Sequence, residues 1–495
     1  RCSEVQAAML GLPLHLEGVA KVLRLGVQKM SEGKPLIRYF CIPCKPTAAN
    51  GGRTRNLPSD APDKWELFKQ YNIRDVEVEL EIRKKIKDYP IPESEQALYE
   101  LDQRINDRGF RADMDFVMQA ISCDKQFTVS ATERAYELTG LENPNSVSQL
   151  KDWLSERGVE VESLSKKNVK ELVTETEGEV EEALKLRLLM AKTSVRKYEA
   201  IERAVCSDGR VHGLFQFYGA NRTGRFAGRL VQVQNLPQNH LVDLKLARNL
   251  VKEGRFEDLQ MLFGNTPGVL SELIRTAFIP RECHRFIVAD FSAIEARVLS
   301  WLAGEKWRLE VFQSHGKIYE ASASQMFHVP IDEITKGSPL RQKGKISELA
   351  CGYGGGVGAL KSMGALEMGV EEHELQGLID NWRRANPHIV NFWWEVDKMA
   401  IKAVKERTRT RTHGIVFTYK SGMLFVTLPS GRDLVYVKPK LMLNKFGREG
   451  LTYEGIGTTK KWERIETYGP KIVENIVQAA SRDLLAEAML RLDKA

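Results

Sequence analysis

At 495 residues the chain is long enough for a sizeable core and, at about 150 residues per domain, for roughly three domains. Hydrophobic residues make up 42% and charged residues 28%, which excludes a mostly disordered chain. The balance of 73 Lys+Arg against 66 Asp+Glu, a net +7, permits a polyanionic partner without requiring one.

No apolar run reaches the roughly 20 residues that span a bilayer, and no charged-then-apolar signal segment opens the chain. The first residue is Arg rather than Met, so the sequence is expected to be processed or a fragment. Seven scattered cysteines make no disulfide framework and point to a reducing, intracellular compartment. Cys41-Ile-Pro-Cys44 is a single CxxC with no second pair at zinc spacing, and reads as two incidental thiols.

In chain order, residues 45–63 are rich in Gly, Pro and Asn and predict a loop. Apolar residues at three- and four-residue steps from Trp65 to Lys87 predict a helix, which Tyr89-Pro-Ile-Pro92 ends at a domain boundary. Helices are expected to about Arg203, broken at Asn143-Pro144-Asn145, with 170–187 as a solvated helical face. Arg210 to Gly219 has the composition of a strand, and Arg285 to Asp290 that of a short buried strand ending in a carboxylate. Glu295 to Leu302 and a long region to about Arg407 read as helical. Residues 411–456 read as β-structure, with a hairpin at Pro429-Ser430-Gly431, and Lys471 to Leu492 reads as an amphipathic helix. Lys402, Lys405, Arg407, Arg409 and Arg411 form a basic cluster, either a solvated helix end or a phosphate contact.

Three groups carry chemistry. An Asp at the end of a buried strand, as in Asp290-Phe291-Ser292-Ala293-Ile294-Glu295, is costly unless a cation pairs with it, and serves either as a divalent-metal ligand or as a helix cap. Arg341, Lys345 and Leu349 lie at i, i+4, i+8 on one helical stripe; the two cations suit a triphosphate, or a solvated face partly paired with Glu348. The run Cys351-Gly-Tyr-Gly-Gly-Gly356 ends that helix and leaves Tyr353 at the break. No GxxxxGK[ST] occurs, which excludes a P-loop. Third, Arg222-Thr-Gly-Arg225 precedes Val233-Gln-Asn-Leu-Pro237, where Arg225, Gln234 and Asn235 are residue types that read phosphates and minor-groove acceptors.

Together and in this order, TGR…QNLP, DFSAIEARVLSWLAG and RQKGKISELACGYGG resemble the polymerase region of family A DNA polymerases. Ala293 and Ala296, and Trp382-Arg-Arg-Ala-Asn-Pro387…Phe392-Trp393, resemble the bacteriophage branch. The resemblance covers about residues 90 to 495. It implies an α+β right-hand polymerase with thumb, palm bearing an antiparallel sheet, and helical fingers. Tyr71-Asn-Ile-Arg-Asp75 resembles the third motif of DEDD-type 3′–5′ exonucleases, so the polymerase would follow the carboxyl-terminal part of such a domain. The implied division is 1–89 exonuclease remnant, 90–210 thumb, 211–300 first part of the palm, 301–412 fingers and 413–495 second part of the palm.

The resemblance also implies roles. Asp290 would be a catalytic metal ligand, with the Phe291 carbonyl beside it, for two Mg²⁺ ions or Mn²⁺ in their place. Glu295 would fill the space of a 2′-hydroxyl. Arg341 and Lys345 would hold the triphosphate, Tyr353 would stack near the template base, and Tyr319 and Leu349 would lie at the nucleotide sugar or phosphates. Arg225, Gln234, Asn235 and Gln478 would touch the DNA. Tyr71 and Asp75 would be what remains of the exonuclease site. Leu349, Ala293 and Tyr319 depart from the bacterial pattern of an aromatic residue, Gln and His. The family's third polymerase motif is a His-Asp pair after the helix of Gln478; no His-Asp dipeptide occurs here. The chain is therefore expected to be cut at both ends and, as it stands, to bind primed DNA and dNTP but extend primers very poorly or not at all, because neither Glu295 nor Asp483 should replace the second carboxylate.

The expected partners are primer–template DNA and dNTPs, without a membrane; a processivity or replisome partner stays unspecified. The expected place is the cytoplasm, that of the host cell for a phage protein. A single-subunit RNA polymerase is the rival enzyme, against which Glu295 argues, and a non-catalytic primer–template-binding fragment is the rival from another class.

Overall fold

The computed structural model describes residues 2–191, 195–444 and 447–494. They form two compact units, one of Arg1–Leu101, Phe217–Phe226 and Asp290–Ala495, the other of Asp102–Gln216 and Ala227–Ala289.

The first unit is built on a six-stranded antiparallel meander: β1 Arg409–Thr412, β2 Ile415–Lys420, β3 Met423–Thr427, β4 Asp433–Leu443, β5 Glu449–Ile456 and β6 Trp462–Thr467. Each strand pairs with the next in sequence, so every connection is a hairpin. The Pro429-Ser430-Gly431 turn is where the sequence places it, closed by Leu428 N–H to the Arg432 carbonyl at 2.9 Å. Strand side chains alternate faces, and here both faces are covered. Leu424, Val426, Leu434 and Tyr436 enter the main helical core, whereas Phe425, Val435 and Val437 join Leu10, Val19, Val78 and Ile82 of the amino-terminal helices. That double burial accounts for the continuous apolar runs Met423–Val426 and Leu434–Val437 in β3 and β4.

The helices of this unit used below are α1 Pro62–Ile86, α2 Ile294–Ala303, α3 Lys306–Gln313, α4 Ile318–Phe327, α5 Pro339–Cys351, α6 Leu375–Ala385, α7 Pro387–Lys405 and α8 Gly469–Lys494. At the start of α8, Gly469 lies against the Trp393 carbonyl of α7, where any Cβ would collide. The long helical region foreseen up to about Arg407 is thus several short helices, ending at Lys405.

One expected strand is absent. Residues 285–290 are irregular and exposed, with Ile287 at 86% and Val288 at 89%. A strand needs a neighbour for its backbone groups, and among the described residues none pairs with this run. The expected strand 210–219 is divided instead into Arg210–Val211 and Phe215–Ala220, with Gly213 at φ +66° between them.

The second unit packs helix Met114–Thr139 through Phe116, Val117 and Ala120 onto Tyr198, Leu250 and Leu270. Asp113 caps that helix and holds Arg248 at 2.6 Å and Lys252 at 2.9 Å. Residues 170–187 are not one solvated face: Lys166–Glu175 and Gly178–Met190 are separate helices, and Ala183 and Leu184 are buried with Trp153. Asp102 is 2% exposed. Burial pushes its carboxyl from 3.8 up to about 6, opposed by hydrogen bonds from Gln103 and Asn106. The fold therefore favours the protonated form. The stability this contributes is present in full below pH 3.8 and lost as pH rises through about 6, a loss of up to about 3 kcal/mol. Asp102→Asn is expected to flatten the urea-denaturation midpoint between pH 4.5 and 8 and to exceed wild type at pH 8.

Candidate active site

Helix α5 starts where the Ser338 hydroxyl accepts the Arg341 N–H at 3.2 Å, with Pro339 in the first turn. On its inner side Gly344 lets α4 approach; a Cβ there would strike the Tyr319 carbonyl. This close packing brings Tyr319 and Glu320 under Arg341. The Arg341 Nε donates to Glu320 Oε1 at 2.6 Å, and the guanidinium lies 5.6 Å from the centre of the Tyr319 ring. Burial raises the Glu320 carboxyl, but the hydrogen bond and charge of Arg341 outweigh it and hold it below its ordinary value. Lys345 has no carboxylate partner among the described residues, and Leu349 is 49% exposed on the same stripe. The pairing of these cations with Glu348 does not occur. Glu348 turns inward, 5% exposed, onto Arg308.

The glycine run ends α5, with Gly354 at φ +74°, a conformation that side chains disfavour. Tyr353 is thereby turned to Glu295: its hydroxyl donates to Glu295 Oε2 at 3.2 Å, while Arg225 Nη1 meets Oε1 at 3.4 Å. Burial pushes the Tyr353 hydroxyl up and the Glu295 charge adds to this, so the phenol stays a neutral donor near pH 7. Glu295, Tyr353 and Arg225 are far apart in sequence and form one hydrogen-bonded constellation.

In Arg222-Thr-Gly-Arg225 the two arginines differ. Arg222 is packed at 4.7 Å and 4.4 Å from the rings of Tyr436 and Tyr453 and donates to the Val435 carbonyl at 2.5 Å. It is a structural cation. Gly224, at φ +76°, lies against the Tyr218 ring and Arg432, leaving no room for a Cβ. Arg225 is half-exposed. Behind this turn Arg432 donates to Asp483 Oδ1 at 2.7 Å, to the Tyr218 hydroxyl at 3.0 Å and to the Thr223 and Ala479 carbonyls. Arg482 meets Glu95 at 2.5 and 2.8 Å. Composition hides these buried cations; their partners lie tens to hundreds of residues away. Arg432→Met removes the buried guanidinium and leaves the partly exposed Asp483 carboxylate only Arg482, at 3.3 Å, as a cation; it is expected to cost about 3 kcal/mol in urea denaturation.

Asp290 stands in exposed, irregular chain just before α2, whose start is preceded by Ala293 at φ +50°. Phe291 beside it is 44% exposed. Asp483 is engaged by Arg432 at 2.7 Å and by the Ser430 hydroxyl at 2.6 Å. Among the described residues no group of three or more His, Cys, Asp or Glu could hold a metal ion. Asp290 belongs to no such group among the described residues.

Gln478 is on α8, its amide 3.5 Å from Glu474 Oε1. Gln234 and Asn235 belong to the second unit, on the turn Val233–Asn235, where Asn235 donates to the Gln232 amide oxygen at 3.4 Å. Tyr71 and Asp75 are one turn apart on α1. Lys29 Nζ meets Asp75 Oδ2 at 3.0 Å and lies 5.0 Å from the Tyr71 ring centre. The Tyr71 ring is buried against Gly33, and Asp75 Oδ1 is buried without a hydrogen-bond partner among the described residues.

Residues 119–421 match the sequence family described as DNA polymerase family A. The chain belongs to that family. It is 60% identical, over an alignment of 498 positions covering 100% of this chain and 77% of the relative, to the DNA polymerase of Bacillus phage SP02. DNA polymerase I of Bacillus subtilis (strain 168) is 33% identical over 121 residues, 24% of this chain and 14% of that protein. The fold is similar to the POL domain of Pol1 from M. smegmatis, solved in complex with DNA primer-template and dNTP, with TM-score 0.57 and 17% identity over 99% of this chain and 71% of that one. Family A DNA polymerases use divalent metal ions. No described helix is long and apolar enough to cross a membrane.

Proposed function

We propose that the chain acts as a DNA-directed DNA polymerase in phage replication, adding dNTPs to a primer 3′-hydroxyl under the direction of a template. The observation that carries this is the convergence of Arg225, Glu295 and Tyr353 at the end of the helix that presents Arg341 and Lys345.

The primer oxygen attacks the α-phosphorus and pyrophosphate leaves. Arg341 and Lys345 take the charge of the triphosphate, a guanidinium fork and a point charge on one stripe. The bond from Arg341 Nε to Glu320 fixes the plane of the guanidinium and leaves both Nη edges for phosphate oxygens. Glu295, held at both carboxylate oxygens, occupies the space of a 2′-hydroxyl. Tyr353 presents its ring to the nascent pair; Tyr319 and Leu349 border the sugar and phosphates. Arg225, Gln234, Asn235 and Gln478 contact the DNA. The divalent ions of the family, two Mg²⁺ in this reading, would supply charge at the reacting oxygens, with the Asp290 carboxylate and Phe291 carbonyl as ligands from this segment. We retain the division into exonuclease remnant (1–89), thumb, palm and fingers. In residues 1–89 Lys29 pairs with Asp75 and lies over the Tyr71 ring. The reading puts the chain's work in a host cytoplasm, which the similarity to a phage DNA polymerase supports.

The test is primer extension with one nucleotide at a time, beside Asp290→Asn. Incorporation of the complementary dNTP only, at whatever rate, and its loss by about 10³-fold or more in the variant are expected. Addition indifferent to the template base, or unchanged in the variant, would overturn the reading.

A further inference from the structure

The segment from Trp382 to Trp393 has no part in the site described, yet it braces the back of α5 at two points. Arg308 of α3 and Glu348 of α5 are 1% and 5% exposed and form a two-pronged ion pair, Nη1–Oε1 2.7 Å and Nη2–Oε2 2.6 Å. Arg308 also donates to Ser300 Oγ at 2.8 Å and Asn386 Oδ1 at 3.1 Å. The Trp382 indole N–H donates to Glu348 Oε1 at 2.9 Å. Trp382 stacks on Trp393 at 6.1 Å and 8°, and the Trp393 N–H donates to the Gly352 carbonyl at 3.1 Å. The anchored groups are well placed to matter. Glu348 is three residues beyond Lys345, and Gly352 directly precedes Tyr353.

A buried ion pair is a poor source of stability, because desolvation offsets most of its attraction, and apolar side chains of similar volume often do as well. What the fork-to-fork geometry does supply is direction. With five side-chain contacts on Arg308 and Glu348, α5 cannot rotate about its axis without breaking buried hydrogen bonds. Rotation is what would carry Arg341 and Lys345 away from a bound triphosphate.

We propose that Glu348, locked by Arg308 and Trp382, is a positioning residue that sets the rotation of α5 and so aims Arg341, Lys345 and Tyr353 at the incoming nucleotide. The proposal rests on the polymerase reading above. Its test is the Kd of the complementary and of a non-complementary dNTP for the protein bound to a primer–template whose primer ends in a dideoxynucleotide, so that no chemistry is needed. Glu348→Gln, the double variant Arg308→Met/Glu348→Met, and Trp382→Phe are compared with wild type, each with its melting temperature and its Kd for primer–template alone. The double variant removes both charges at nearly constant volume but leaves the Trp382 N–H and Asn386 Oδ1 unpaired, so it is expected to fold and to melt below wild type. Its Kd for the complementary dNTP is expected to rise about tenfold or more, since small misplacements of binding groups are costly. The ratio of non-complementary to complementary Kd should fall, with primer–template binding unchanged. Trp382→Phe, which keeps the ring stack and loses the N–H, should lie between. If the folded double variant binds the complementary dNTP within about twofold of wild type at the same selectivity, the pair is structural only and the proposal is wrong. A wild type that binds all four dNTPs alike, whatever the template base, would instead overturn the polymerase reading, and this proposal with it.

Discussion

Arg341→Ala is expected to weaken binding of the complementary dNTP by about 10²-fold, and Lys345→Ala by about 10-fold. A hydrogen bond to a charged group contributes about 1.5–3 kcal/mol, and a two-pronged guanidinium–phosphate contact lies at the upper end; every 1.4 kcal/mol is a factor of about ten in Kd. The alanine variant has a second cost. It leaves Glu320, whose carboxylate now accepts from Arg341 Nε at 2.6 Å, as an uncompensated negative charge beside the phosphates. Arg341→Ala combined with Glu320→Gln should therefore bind the nucleotide better than Arg341→Ala alone. Titrating dNTP onto the protein with a dideoxy-terminated primer–template measures all of these. An Arg341→Ala variant that binds within threefold of wild type would remove the triphosphate role.

Glu295→Ala is expected to raise the rNTP-to-dNTP ratio of kcat/KM by about 10²-fold, a few kcal/mol of differential transition-state binding. The structure separates two ways in which this could arise. Glu295 fills volume, and it also ties Tyr353 at 3.2 Å and Arg225 at 3.4 Å. Glu295→Gln keeps the volume and can still bond to both, so it should keep most of the discrimination. Tyr353→Phe loses only the hydroxyl and should change the ratio little. If Glu295→Gln lost discrimination as fully as Glu295→Ala, charge rather than volume would be the operative property.

Local periodicity made much of the fold legible. The helices Pro62–Ile86 and Gly469–Lys494 and the hairpin around Pro429-Ser430-Gly431 follow from patterns within a few turns of chain. The stripe of Arg341, Lys345 and Leu349 was legible for the same reason, since i, i+4 spacing needs only the helix itself. The errors came where the outcome depends on a distant partner. Residues 285–290 have strand composition, but composition does not supply the neighbour that would pair with them. The alternative of a solvated face partly paired with Glu348 stays open in the sequence because spacing cannot say which side of a helix is covered; Arg308, 40 residues away, decides it. Arg222 and Arg225 look alike in sequence. One is packed between Tyr436 and Tyr453 and the other is half-exposed, a difference set by a sheet more than 200 residues further on.

The central claim is that the constellation of Glu295, Tyr353, Arg341 and Lys345 receives a deoxynucleotide chosen by a template base. The most direct measurement is a matrix of Kd values for the four dNTPs and four rNTPs, each on four blocked primer–templates that differ only in the templating base. The account predicts tight binding for the complementary dNTP in each column alone, with the matching rNTP weaker by about 10²-fold. Equal binding across a column, or equal binding of the complementary dNTP and rNTP, would contradict it.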